Sequence, residues 1–239
     1  MPFGWGIVST GKHPDVKIAP AMAAADGAEL VAAGTLGRIV LAQAQWAFGV
    51  RGRDGSPPRT ALTQWWDTPE LIGGASTMMG TGVHSVDLLR FVLGAEVDEI
   101  TAVTDGQTVA RPLEQLACLT LRFGNGTLGQ VVASRLLPDS RNDFRVYGIT
   151  GLIAGYHSMW EARTGRFEIA SNTVNETADY PEALLPNYVA EIEDFQRAVA
   201  TGGQPAATGL DGLRVVEITL AMIESARPRR SVTIERVEP

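Results

Sequence analysis

Between residues 73 and 94 the sequence runs GGASTMMGTGVHSVDLLRFVLG, with four glycines and one histidine in its first twelve positions. His84 is one of only three histidines in the chain. Its imidazole is the side chain whose ordinary pKa suits proton transfer near neutral pH. Where a glycine loop turns into a helix, such a ring can exchange a hydrogen bond or a proton with a hydroxyl group held against the loop. Asp87 follows three residues later and shares a helical face with His84. It either orients the imidazole or is a solvated helix acid. Thr81 and Met79 precede the histidine as candidate pocket-lining residues, with packing as the alternative for Met79.

A second stretch, GIVSTGKHP (6–14), has the composition of a phosphate-binding turn. Ser9, Thr10, Gly11 and Lys12 join an apolar strand to the helix VKIAPAMAAADG, whose first amides and dipole favour an anion. The pattern is weak by itself, because Ser9 stands at the first glycine position and Pro14 at the third small position. Among the 20 lysines and arginines, only Lys12 and Lys17 are lysines. Neither is placed for acid–base work on a carbon-bound oxygen. No CxxC or HExxH spacing occurs, so no metal site is expected. The single cysteine, Cys118, lies in the alternation QLACLTLRF and reads as a buried strand thiol. His13 and His157 read as surface residues.

Elements must carry these residues. FGWGIV, the alanine-rich helix and AELVAAG form one βαβ unit over residues 1–34. A doubly wound sheet would need further strand–helix alternation, which does not follow. Instead GRIVLAQAQWAFG begins a second unit, residues 35–239. The helix over 83–93 shows an apolar stripe at Val86, Leu89, Val92 and Leu93. Strands are expected at 96–104, at 114–123 and, after the hairpin signal GNG, from Thr127. Two strands surround Gly148 and Gly151, RFEIAS is another, and helices at 187–201 and 209–226 precede a last strand RSVTIERV. The fold class is thus α+β: a large mixed, mainly antiparallel sheet backed by helices, preceded by a truncated βαβ remnant.

Five ordered motifs, GWGIVSTGKHPDVKIAPAMAAADGAELVAA, LGRIVLAQAQW, the loop and helix at 73–94, FGNGTLGQVVAS and the closing helices with their strand, resemble the glucose–fructose oxidoreductase / inositol dehydrogenase / rhizopine catabolism family of NAD(P)-dependent oxidoreductases. The resemblance implies hydride transfer between NAD or NADP and a sugar-like substrate. It implies His84 at that substrate, Thr81, Asp87 and Trp66 lining the pocket, and Ser9, Thr10, Gly11 and Lys12 on the cofactor. Trp46, Trp65 and Trp160 are further aromatics able to stack on a sugar ring, with core packing as the alternative. Arg51, Arg53 and Arg59 read as a solvated loop, with a grip on an anionic substrate as the alternative. The family's Glu-Lys-Pro tripeptide, whose lysine is the catalytic acid–base, occurs nowhere here. Its place would fall in a segment missing around Ala33 and Gly34, and Gly80 stands where the family often has an aspartate. Two functions therefore stay open: an oxidoreductase impaired by that loss, or a non-catalytic homologue that oligomerises or binds a small molecule.

A formal charge of -7 argues against a nucleic-acid partner. No signal peptide or membrane-spanning stretch is evident, so a cytoplasmic location without a membrane partner is expected. The family packs the open face of its sheet against a second subunit, which implies a homodimer or tetramer. An uncovered apolar sheet face would exceed the patch that soluble monomers tolerate.

Overall fold

In LACLTLRF the residues at 117, 119, 121 and 123 are buried, while Cys118, Thr120 and Arg122 are exposed. That period of two marks a strand covered on one face. The computed structural model describes residues 34–55, 59–160, 163–183 and 185–238. The expected βαβ remnant, with Ser9, Thr10, Gly11, Lys12, His13 and Lys17, lies outside them. Among the described residues the chain runs β1 (Ile39–Ala47), α1 (Val83–Leu93), β2 (Val97–Thr104), β3 (Leu116–Phe123), β4 (Leu128–Ser134), β5 (Phe144–Gly148), β6 (Gly151–Tyr156), β7 (Arg163–Ser171), β8 (Asn175–Ala183), α2 (Leu185–Thr201), α3 (Gly209–Ala226) and β9 (Val232–Thr233).

The strands form one sheet in the order β8-β7-β6-β5-β1-β4-β3-β2-β9. Only β1 and β4 pair in parallel, with Trp46 opposite Ala133. The other pairings are antiparallel. The mixed, mainly antiparallel sheet backed by helices is therefore as the sequence implies. Helix α1 lies on β1 and β4, and α3 along β2. Val86, Leu89 and Val92 of α1 join Ile218 and Met222 of α3 over Ala44, Ile100, Leu121 and Val131, all buried. Helix α1 closes at Gly94, whose φ of 55° is the left-handed conformation that glycine adopts at little cost. Helix α3 opens with a capping box between Thr208 and Asp211.

Four features depart from the sequence reading. Cys118 is exposed, not buried, because Leu119 and Leu121 take the helix-covered face and alternation turns the thiol outward. The last strand shrinks to two residues, since β9 pairs only with Glu99 and Ile100. The edge strand β8, NETADYPEA, is too polar to betray itself, and its pairing with β7 is what makes it a strand. A 3-10 turn at Ala61–Asp67 carries the paired tryptophans. Helix α2 falls where expected, yet Val189, Ile192 and Val199 are each more than two-fifths exposed.

One buried guanidinium ties the helices together. Arg90 grips Glu96 through Nε and Nη2, both at 2.7 Å, reaches Asp87 at 2.8 Å and touches Asp211 at 3.3 Å. The Arg90 hydrogen bond holds the Glu96 carboxyl below the usual range. Burial works against the Asp211 carboxylate, but its hydrogen bonds from Thr208 and its contact with Arg90 outweigh that and hold it low as well. Groups depressed in the folded state stabilise it above their unfolded pKa, about 4, and lose that effect as pH falls through their folded values. Thermal melts between pH 3 and 7 should show the melting temperature falling below pH ~4.5, with a flatter fall in Arg90→Met; equal slopes would refute the linkage. Leu89→Ala, at a fully buried site, should cost about 3 kcal/mol in urea unfolding with the m-value unchanged.

Candidate functional site

The glycine loop becomes helical at Thr77, earlier than the sequence suggests, and its first turn is wide: Met78–Gly82 form a single π turn before α1. A distant carboxylate organises that entry. Glu114, fully buried, accepts from the amides of Ser76 (3.0 Å) and Met78 (2.8 Å) and from Gln107 Nε2 (3.0 Å). Orphan amides of a helix start are thereby satisfied by a side chain 36 residues away in sequence. At the two glycines of the turn a side chain would fit only if a neighbouring side-chain tip moved aside. A Cβ at Gly82 would lie 2.2 Å from Met78 Sδ, and one at Gly80 would lie 2.5 Å from Arg135 Nη2.

His84 therefore sits inside a continuous helical stretch, not at its free N-terminus. Its half-buried ring lies 4.9 Å from the ring of Trp46, inclined at 40°. Trp46 is buried in β1, so the sheet forms a rigid floor for the imidazole. Thr81 is buried and its hydroxyl donates to the Thr77 carbonyl at 3.0 Å. Asp87 meets Arg90, as above, and is partly exposed. Met79 is partly buried against the core.

Beside Gly80 lies a cluster the sequence only partly suggests. The Arg59 guanidinium stands 4.6 Å from the Trp66 ring centre and that of Arg135 5.8 Å from it, with Trp65 packed at 5.1 Å on Trp66. Arg59 is not the solvated loop residue expected, because Trp66 draws it in and burial lowers its pKa. Arg51 does lie in solvent, paired with Asp139 at 2.7 Å. Arg135 is buried and hydrogen-bonds Ser76 Oγ at 2.9 Å. Burial, reinforced by the like charge of Arg59, pushes its pKa down to about 10.

Arg135 and Glu114 are the positioning residues that sequence reasoning missed. A signal existed for one of them: positions 131 and 133 are buried, and period two carries Arg135 to the same face. His157 takes a φ of 55° and is exposed, its Nδ1 lying 3.1 Å from the Arg141 carbonyl oxygen. It does not belong to the His84 cluster through any of these contacts.

The described residues contain no consecutive parallel strands joined by one helix. They therefore do not themselves make a dinucleotide-binding unit, and the turn at Ser9–Lys12 lies outside them. Among the described residues no cluster of three or more His, Cys, Asp or Glu is placed to hold a metal. No helix among them is long and apolar enough to cross a membrane.

The sequence of residues 26–154 matches the model of the GFO/IDH/MocA C-terminal domain. A 1,5-anhydro-D-fructose reductase of Ensifer adhaerens is 24% identical over 208 residues, covering 87% of this chain and 59% of that protein. A myo-inositol 2-dehydrogenase of Thermotoga maritima is 26% identical over 224 residues, covering 87% and 60%. This chain thus spans about 60% of the length of these curated relatives. Among solved structures, levoglucosan dehydrogenase in complex with NADH and levoglucosan superposes with a TM-score of 0.74 at 22% identity, covering 92% of this chain and 64% of that one. An aldose-aldose oxidoreductase from Caulobacter crescentus complexed with glycerol gives 0.75 at 19%, with the same coverage. Loop, helix and mixed sheet, together with a family match over more than half of the sequence, lead to one conclusion: the chain belongs to the GFO/IDH/MocA family.

Proposed function

We propose that residues 35–239 are the substrate-binding and assembly unit of an oxidoreductase that moves hydride between NAD or NADP and a hydroxyl or carbonyl carbon of a sugar or polyol. The observation that carries this reading is His84, half-buried on the Trp46 ring at the exit of the glycine loop. Relatives that match this chain are a reductase and a dehydrogenase of sugar-like molecules, and a superposing structure holds NADH. The nicotinamide supplies the hydride chemistry when bound. His84 holds or releases the proton at the substrate oxygen, the work an imidazole side chain is suited to. Trp46 packs against the ring and holds it in place.

A non-catalytic role is the second reading, favoured by the absence of any Glu-Lys-Pro lysine from the sequence. Titration of the purified chain with NADH and NADPH, followed by nicotinamide fluorescence, separates the two. The oxidoreductase reading expects saturable binding, and His84→Gln should then lower turnover by roughly 10²–10⁴-fold with cofactor affinity unchanged. Absence of binding up to millimolar cofactor would eliminate it for this chain and leave the second reading.

Assembly is a separate matter. The sheet face away from the helices exposes Val103 (64%), Leu128 (41%) and Cys118 beside Thr101, Thr120 and Gln130. The alternation that buries one face leaves this one to a second copy of the chain, as a homodimer or tetramer. Burial already pushes the Cys118 thiol pKa up, so its thiolate is scarce at neutral pH. Light scattering should give two or four times the 25.5 kDa chain mass. A thiol reagent at pH 8 should modify Cys118 only as dilution dissociates the assembly. A monomer with an immediately reactive Cys118 would contradict the interface.

A further inference from the structure

Arg135 is 6% exposed, yet among the described residues no carboxylate forms an ion pair with it. Its hydrogen-bond acceptors are the hydroxyl and the carbonyl of one neutral residue, Ser76, at 2.9 and 3.4 Å. Glu114 and Asp67 act on it only through space, and both are engaged elsewhere. Glu114 is occupied by two backbone amides and Gln107, and Asp67 lies 3.6 Å from Arg59. A buried cation without a paired anion is unfavourable in a low-dielectric interior. Here a second guanidinium stands close enough to worsen it.

Both cations converge on the Trp66 ring, Arg59 at 4.6 Å and Arg135 at 5.8 Å. Arg135 reaches the helix only because position 80 has no side chain, a Cβ there lying 2.5 Å from Nη2. Gly80 and His84 are four residues apart in one helical stretch, so they share a face about one turn, or roughly 5–6 Å, apart. Arg135 therefore approaches the same stretch of helix that carries His84.

We infer that Arg135 and Arg59, both set against Trp66, form an anion subsite, and that the substrate is a sugar or polyol bearing a carboxylate or phosphate rather than a neutral one. This rests on the substrate reading of the His84 site but not on cofactor binding. Guanidinium forks suit both anions through paired hydrogen bonds.

Calorimetric titration of the full chain, without cofactor, with gluconate, glucose 6-phosphate, glucose and inorganic phosphate tests the assignment. At least one of the two charged sugars should bind at least about tenfold more tightly than glucose, and more weakly with added salt. Gluconate against glucose 6-phosphate tells carboxylate from phosphate. Arg59→Gln should cost about tenfold of that affinity with the thermal melt unchanged. Equal affinity for glucose and the charged sugars, no binding of any sugar, inorganic phosphate binding as tightly as the sugars, or full affinity in Arg59→Gln would each overturn the subsite. Charged-sugar binding of this pattern without NADH binding would leave the subsite standing and remove the oxidoreductase. Cofactor binding with no preference for charge would do the reverse.

Discussion

One serine stands between two buried charges that do not pair with each other. The amide of Ser76 donates to the Glu114 carboxylate, while its hydroxyl and carbonyl accept from Arg135. Hydrogen bonds to ions contribute about 1.5–3 kcal/mol each, and leaving a buried ion without them costs more than an ordinary polar loss. The glycine loop is therefore fixed in place from both sides, despite a composition that would otherwise leave it free. Everything nearer the chemistry depends on that anchor. It holds the start of the helical stretch that carries His84, at its wide first turn.

The same anchor explains why the site combines rigid and open parts. Trp46 and the strand pairing of β1 with β4 give His84 a floor that cannot shift without disturbing the core. Trp66 sits on a 3-10 turn with Trp65 two-fifths exposed beside it. Side chains on such a segment can shift more readily than His84 on its buried floor, so in the proposed reading the proton carrier is fixed and the recognition wall beside it adjusts.

The sequence made legible those features that rest on repetition. The stripe at Val86, Leu89 and Val92 announced α1, and the alternation in LACLTLRF and LGQVVAS announced β3 and β4. Strand β8 escaped, because one face is exposed and the face carrying Ala178 and Tyr180 is only partly covered, so it has no apolar period to display. The π turn escaped as well, since its cause is a carboxylate far away in the chain. His84 and Trp66 stand out in the sequence by residue type and neighbourhood. Arg135 was not, because a single arginine within an apolar alternation looks like the strand's end until its burial is seen. Cys118 was misplaced by treating a strand as buried on both faces, when the helices cover only one.

Strand β1 has one further consequence. Strands β2, β3 and β4 form one antiparallel ribbon and β5 to β8 another, each built from neighbours in sequence. No pairing links the two ribbons directly; Ile39–Ala47 fills the slot between them. Local ribbons close quickly, while a partner 87 residues distant, as between Gln43 and Gln130, carries a larger loop-closure cost. Ile39–Ala47 precedes both ribbons in the chain, yet its place between β4 and β5 exists only once both of those strands have formed. Until it is seated there, a newborn chain displays two half-sheets with bare edges, so its vulnerability to sticking to its siblings is concentrated at the middle of the finished sheet rather than at its rim.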